Sequence, residues 1–471
     1  MNADSSSSYD VIVIGAGMAG HCAAIEAAQS GARTILLEKM PTYGGSTAMC
    51  GGAFAFAGTD VQKRRGIADT PELLEQDLIA CSHHAGDPAV MHAYAEHQFE
   101  AYRWLENLGL VFDNVTLNGG QSVPRLHSLD PKAMLRLLHQ KLADAGGAFR
   151  ANAGVKRLLT RGEDAEREVI GVELQNGEPL WAEGGVVIAT GGFSRSRDMV
   201  ARFAPHLADA KPMGGEGNTG DGLRMAWALG ADMVDMGFTK GTFGAPADKP
   251  LPGKEAIAPH LVHTMYKGGL IVNRQGERYV NESESYKVIG EATLKQPERI
   301  GVQVFDQTIM AQSAPFPTVD DYNAALDAGL IQKADTLAEL AARMDLPTEA
   351  LEDTVARYNA AARGQAPDDM GRDCLTAGYG QVPPVAVAPF HAIACTTGLN
   401  STYCGLHTDA GARVLDVFGA PIPGLYATGE VMGGLHGASY LSGSSLAKGC
   451  IFGRLAAQDA KRRAGAALAT A

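Results

Sequence analysis

The chain has 471 residues, 45% hydrophobic and 20% charged, the balance of an ordinary globular protein. A formal net charge of −13 argues against a nucleic-acid or anionic-membrane surface. Seven scattered cysteines without a CxxC pair exclude a zinc knuckle, a thiol-redox pair and an attached c-type haem; reduced thiols in the cytosol and no metal site are expected. No uninterrupted stretch of about 20 apolar residues occurs, so no membrane span is expected, and the polar MNADSSSSYD lacks the apolar core of a signal peptide.

In chain order, YDVIVIGAG reads as a buried strand entering a turn. The alanine-rich MAGHCAAIEAAQSG reads as a helix stopped at Gly31, and RTILLEK as a second strand. Between strand and helix, Gly15, Gly17 and Gly20 form GAGMAG, and Glu38 ends the second strand. This is the dinucleotide pattern. Gly15 makes the tight turn, Gly17 admits a pyrophosphate against the backbone, and Gly20 lets helix pack on strand. Free N–H groups of the helix N-terminus suit phosphate, and the Glu38 carboxylate suits ribose hydroxyls.

Residues 70–145 carry helical patterns, among them TPELLEQDLIACS and PKAMLRLLHQKLADAGG. AFRANAGVKRLL, EVIGVELQNG and GGVVIATGG read as strands. Near residue 240 the texture changes. FGAPADKPLPGKEAIAPH reads as a proline-rich loop, GGLIVNRQGERYVNE as a hairpin turning at residues 273–276, and residues 317–363 as helical. After VPPVAVAPFHAIA the glycine-rich texture returns. The expected fold is α/β: a Rossmann-like dinucleotide domain over residues 1–240 and 376–471, interrupted by an inserted α+β domain over 241–375.

Several further motifs follow in order: KMPTYGGSTAMCGGAF, ATGGFS, GDG at 220–222, GERYVNE and GLYATGEVMGGLHGASYLSGSSL. Together, over nearly the whole chain, they resemble the fumarate reductase/succinate dehydrogenase flavoproteins. That superfamily also includes urocanate reductase and the 3-ketosteroid dehydrogenases. The resemblance implies an FAD-binding domain and a cap (catalytic) domain, with FAD held non-covalently because GGSTAMCGG contains no histidine. The contacts it implies, beside the three motif glycines, are Ala19, Glu38, Lys39, Gly45, Ser46, Thr47, Gly51, Gly52, Val155, Thr190, Gly191, Asp221, Glu430, Ser445 and Leu446.

The dicarboxylate branch of the family surrounds its substrate with arginines and histidines. Here RYVNESESYK puts Tyr286 where RFxNExxxR has its last arginine, and HGASYLSG puts Tyr440 where HGxNR has one. LNSTYCG carries Asn400 and Ser401 ahead of the segment that resembles TMGG, and Lys240 aligns with a QxHPT histidine. Tyrosine cannot replace the bidentate guanidinium. YLSGSSL instead resembles the Δ4-type 3-ketosteroid dehydrogenases. That resemblance implies Tyr440 as the donor polarising a ketone, an oxyanion-type role. Tyr286 and Ser442 become the proton-abstracting pair, with Lys287 a candidate to aid the phenol. The implied reaction is α,β-desaturation of a cyclic ketone such as a 3-ketosteroid, with the β-hydride passing to the flavin. The implied partners are a small-molecule ketone and a separate electron acceptor.

A second reading keeps His436, Lys240 and Lys287 as substitute cations and makes the protein interconvert a saturated and an α,β-unsaturated carboxylate. A third makes it an electron-transfer subunit dependent on a partner. Residue by residue, plainer roles also stand. Tyr440 can stack beneath the flavin, and Ser442, Ser444 or Ser445 can cap the following helix. Arg278, Asn281 and Glu282 can brace the hairpin, while His83, His84 and His407 read as structural.

Overall fold

The computed structural model describes residues 7–162, 167–315, 318–376 and 378–470, with side chains described as far as residue 466. Most of the polar MNADSSSSYD start and residue 317 of the helical stretch lie outside the described residues. The chain packs as two compact units. One comprises Met1–Pro205, Gly214–Thr239 and Ser401–Ala471; the other His206–Met213 and Lys240–Asn400. Relative to the expected insert at 241–375, the second unit also holds residues 206–213 and runs on to Asn400.

In the first unit, strand β1 (Ser8–Ile14), helix α1 (Met18–Gln29) and strand β2 (Thr34–Leu37) follow the sequence pattern. β1 lies parallel to β2 on one side and to Pro179–Ile188 on the other. Pro421–Ala427 extends the parallel sheet beyond Pro179–Ile188, and Ala148–Arg150 extends it beyond β2. A sheet covered on both faces explains the unbroken apolar run VIVI, from Val11 to Ile14, whose four residues are all buried. Helix α1 is alanine-rich because it packs closely on the helix Ser444–Thr470, where Gly449 and Gly453 lie against Ala19 and Ala23.

AFRANAGVKRLL, read as one strand, is two. Ala148–Arg150 joins the parallel sheet, and Val155–Arg161 starts an antiparallel meander with Glu168–Leu174 and Pro179–Ile188. The break is at Asn152, at φ 52°. There the chain turns to donate Asn152 N–H to Met40 O (3.1 Å) and Ala153 N–H to Glu38 O (2.8 Å), which fixes the end of β2.

The helices Pro71–Cys81, Pro88–Asn107 and Pro131–Asp144 each begin with proline after a side-chain cap, from Thr70, Asp87 and Asp130 respectively. Beneath them Arg125 is fully buried, held by Asp69 (2.7 Å) and by Asp77. A buried guanidinium persists only with such partners.

The second unit is built round Phe390–Leu399, antiparallel to Thr242–Pro246, Gly301–Phe305 and Gln332–Ala334 and parallel to Lys211–Pro212. Two local expectations change. The segment read as a proline-rich loop opens with the buried strand Thr242–Pro246. The hairpin turn at 273–276 forms, with Gly276 N–H donating to Asn273 O (3.0 Å), but its return arm shrinks to one bridge, Val272 to Arg278. The physical reason is competition. Leu270–Val272 pairs with Gly301–Phe305 on one edge, and on the other the Glu282 carboxylate takes the Ile271 N–H at 3.0 Å. Arg278 in turn holds Glu282 (2.6 Å) and Asp368 (2.6 Å), while Asn281 donates to Gly371 O (3.1 Å), so these residues brace the segment. The helical stretch is Tyr322–Asp327, Leu337–Met344 and Thr348–Ala362, with the strand Gln332–Ala334 set among them. Among the described residues, no helix is long and apolar enough to cross a membrane.

Replacing Arg125 by Met leaves two carboxylates in a buried site without their cation. We expect a loss of about 3–5 kcal/mol of stability, read by guanidinium unfolding, because breaking a buried pair costs more than the pair is worth.

Candidate functional site

The cofactor cradle is assembled where β1, α1 and Pro179–Ile188 converge. Gly15 has φ 103°, and a Cβ there would lie 2.4 Å from Ala189 O. A Cβ on Gly20 would lie 1.8 Å from Gly15 O. Both positions therefore exclude any side chain. No side chain caps the N-terminus of α1 at Gly17, although Met18 N–H donates to Thr47 Oγ1 (3.1 Å). Among the described residues, the buried Thr190 Oγ1 has no hydrogen-bond partner. Glu38 is buried, and its two oxygens accept Ala16 N–H and Met40 N–H, each at 2.9 Å. Carboxylate oxygens so engaged retain lone pairs for sugar hydroxyls.

Around this core lie the other expected contacts. Ala19 is on α1 and Gly191 follows Thr190. Gly45, Ser46 and Thr47 lie on the turn Gly45–Met49, with Gly51 and Gly52 just beyond, and Val155 opens its strand. Lys39 Nζ bridges Thr219 Oγ1 and Asp221 Oδ2, both at 2.6 Å, so its charge is spent on holding the helix Asp221–Trp227. Two residues that sequence reasoning passed over complete the set. Asn218 donates to Ser46 Oγ (3.3 Å) and Glu430 Oε2 (2.9 Å), and Thr402 N–H donates to Glu430 Oε1 (2.8 Å). Their only signal was position: Asn218 inside GGEGNTGDG and Thr402 inside LNSTYCG. An uncapped helix start, a buried carboxylate and an unpartnered buried hydroxyl are what a flavin dinucleotide requires.

The loop ahead of Ser444–Thr470 carries the second cluster. Tyr440 stands 4.7 Å from Tyr403, ring to ring and tilted 30°, and 5.2 Å from His436 in an edge contact. Tyr403 and His436 also meet edge-on at 5.2 Å. Gly443 N–H donates to the Tyr440 phenol oxygen at 3.1 Å, and the neighbouring Ser445 favours its ionised form. Ser444 Oγ donates to Leu441 O (2.6 Å). Burial pushes the Tyr440 phenol above its usual range, against the opposite pull of Gly443 and Ser445. With a peptide N–H donated to its oxygen, the phenol keeps the capacity to donate its own hydrogen. Ser442 is buried and fixed on three sides: its N–H donates to Gly119 O (3.0 Å), its Oγ to Asn118 Oδ1 (3.1 Å), and its carbonyl accepts from Gln121 (2.8 Å).

The FAD binding domain family is matched over residues 10–446. The chain belongs to this family of FAD-binding oxidoreductases. It is 32% identical over 467 residues to an NADH:fumarate oxidoreductase of Klebsiella pneumoniae (strain 342), covering 97% of this chain but only 48% of that protein. Among solved structures, an open-conformation flavocytochrome c3 fumarate reductase superposes with a TM-score of 0.82 at 27% identity, over 98% of this chain and 79% of that one. The 3-ketosteroid-Δ4-(5α)-dehydrogenase of Rhodococcus jostii RHA1, in complex with 4-androstene-3,17-dione, superposes at 0.74 with 28% identity, over 96% and 97% of the two chains. The cradle of this flavoprotein fits FAD as its family does.

Tyr286 belongs to the flavoprotein's second unit, at the start of the helix Tyr286–Thr293. Its ring stacks on His263 at 5.2 Å and 22°, and its N–H donates to Tyr266 OH (2.7 Å). Burial pushes the His263 imidazole down to about 4, so it is neutral at pH 7. The expectation that Lys287 aids the phenol changes. Its Nζ donates to Thr242 Oγ1 (2.6 Å) and Lys240 O (3.3 Å) and lies 5.6 Å from the Tyr286 ring centre. A buried ammonium needs such acceptors, and these fix it as a strap between helix and strand. His407, read as structural, pairs with Asp232 at 2.9 Å. His83 and His84 occupy left-handed backbone, in a loop whose Ser82 O accepts Ala438 N–H (3.1 Å) and so steadies the tyrosine loop. Asn400 closes the second unit and Ser401 opens the last segment of the first.

Two measurements test this description. Gly15→Ala puts a methyl group into the Ala189 carbonyl, and the purified variant is expected to retain less than about a tenth of the flavin per chain, read from the absorbance ratio. Lys448, on the C-terminal helix, is buried, donates to Met432 O (2.8 Å), and is pushed by burial from 10.5 down to about 8. Its charged form is penalised in the folded state only, so the unfolded chain binds the extra proton between pH 8 and 10.5. The cost is therefore full below pH 8 and is relieved as the pH rises toward 10.5. Lys448→Met should melt higher than the parent at pH 7, with the gap narrowing by pH 10.

Proposed function

We propose that this flavoprotein desaturates the carbon–carbon bond next to the ketone of a cyclic substrate, 3-ketosteroids being one class. The observation that carries the reading is the Tyr440 phenol, whose oxygen accepts the N–H of Gly443 at 3.1 Å and whose ring packs against Tyr403 and His436. A neutral phenol in a buried setting is a strong donor to a ketone oxygen, and stronger still as enolate charge gathers there. Polarisation of the ketone acidifies the α-carbon. The α-proton is assigned to the pair of Tyr286 and Ser442, in which the buried Ser442 hydroxyl, on the same loop as Tyr440, relays a proton rather than holding it. Tyr286 as the second member of that pair rests on the family resemblance. FAD, bound non-covalently, supplies the two-electron couple that exchanges hydride with the β-carbon. The Rhodococcus dehydrogenase, 28% identical over nearly the same span, supports a ketone as substrate.

A second reading, reduction of an α,β-unsaturated carboxylate, is favoured by the Klebsiella relative, of which this chain spans about half. It needs a cation facing the carboxylate. The cluster around Tyr440 consists of a second phenol and an imidazole, and the buried Arg125 is already matched by two aspartates. These observations weigh toward the ketone.

The test is anaerobic bleaching of the flavin absorbance by a saturated 3-ketosteroid, a Δ4-3-ketosteroid, 4-oxocyclohexanecarboxylate and succinate. A ketone is expected to bleach it, and Tyr440→Phe to slow bleaching by about 100-fold or more, the scale of losing one oxyanion donor. Because burial raises the phenol, kcat/KM should hold through pH 9 and fall only above tyrosine's ordinary value of about 10. Bleaching by succinate alone would return the protein to carboxylate chemistry.

A further inference from the structure

Among the described residues, nine non-glycine positions have left-handed backbone, and Tyr403, at φ 58°, is the one tyrosine among them. That region suits glycine and, less well, asparagine or aspartate; a bulky side chain there is an outlier whose strain must be held by its surroundings. The holding contacts are visible on both flanks. Thr402 N–H donates to Glu430 Oε1 (2.8 Å), and Thr239 Oγ1 donates to Thr402 O (3.1 Å). The same Thr239 Oγ1 meets Cys404 Sγ at 3.2 Å. What this strained backbone delivers is a ring, half-buried, 4.7 Å from Tyr440 and 5.2 Å from His436.

We propose that Tyr403 is the positioning and specificity-determining residue of the carbonyl site. Its ring backs the Tyr440 phenol so that the oxygen stays on Gly443 N–H, and its remaining face is the apolar wall for the ring that bears the ketone. The inference rests on the ketone reading and narrows it to ketones carried on an apolar alicyclic skeleton. A π-face attracts ring C–H edges and buries apolar area but gives a carboxylate nothing. The clamp on Glu430, itself among the residues that build the cofactor cradle, ties the wall's position to the cradle.

The experiment compares Tyr403→Phe, Tyr403→Leu and Tyr403→Gly as flavin-loaded full chains. Read-outs are flavin per chain, melting temperature, kcat and KM on the best ketone of the panel, and the ultraviolet titration of Tyr440, isolated as the difference from a Tyr440→Phe background. Tyr403→Gly should keep its flavin and melt no lower than the parent, since glycine relieves the backbone, yet lose more than 10-fold in kcat/KM. Tyr403→Leu should lose as much and shift the Tyr440 titration, while Tyr403→Phe recovers kcat/KM to within about 3-fold of the parent. The proposal is overturned if Tyr403→Gly stays within 3-fold of the parent. It is equally overturned if all three variants lose flavin and melting temperature together, the mark of a merely structural residue. If no ketone bleaches the parent enzyme, the ketone reading itself falls; the positioning role is then decided by the titration, and an unshifted Tyr440 in Tyr403→Leu overturns it.

Discussion

The first unit depends on one close approach. The backbone of residue 15 passes so near Ala189 O, and residue 20 so near residue 15, that neither position can carry even a methyl group. That contact brings the start of α1 to the ends of two parallel strands, where N–H groups of its first turn suit the phosphates of a dinucleotide. The position of Glu38 follows, since its carboxylate closes back on Ala16 N–H within the same turn. So does that of Thr190, which directly follows Ala189 in the neighbouring strand's exit.

Buried and half-buried carboxylates organise the rest, and they do so largely through peptide N–H groups. Glu38 holds Ala16 and Met40, Glu430 holds Thr402, and Glu282 holds Ile271. A carboxylate that accepts backbone N–H bonds orders two chain segments at once, and the charge-assisted bonds offset the cost of its burial. In the second unit Glu282 is strong enough a partner to displace a strand: it takes the bond that a hairpin arm would have made.

This distinction marks what the sequence disclosed. GAGMAG with Glu38 announced itself because short-range geometry dictates its residue types, and the order of glycine motifs carried the family and its cofactor. The antiparallel second unit was harder. Thr242–Pro246 was hidden behind the prolines that follow it, and the hairpin gave way to long-range competition that no local pattern encodes. In the site, Tyr440 and Ser442 could be singled out because they replace or flank recognisable motif positions. Tyr403, Asn218 and Thr402 could not, since their roles arise from contacts over many residues, such as the separation of 212 positions from Asn218 to Glu430. Lys287 shows the converse: adjacency to Tyr286 suggested a shared role, but the helix start sends its ammonium to Thr242.

The exchange of arginine for tyrosine at position 440 gains meaning from its surroundings. A guanidinium binds an anion already present in the ground state, so its contribution goes into substrate affinity. A phenol anchored on a helix N-terminus binds a neutral ketone weakly and an incipient enolate strongly, so its contribution appears mainly in the transition state. In the proposed chemistry the Gly443 N–H makes this selective, because any proton the phenol gives up in part leaves charge on an oxygen that this donor already stabilises. Burial works the other way and keeps the phenol protonated until a substrate oxygen draws on it. Opposed pulls of that kind suit a donor more than a base, which is why the proposed ketone chemistry gives carbonyl polarisation to Tyr440 and leaves the α-proton to the pair of Tyr286 and Ser442.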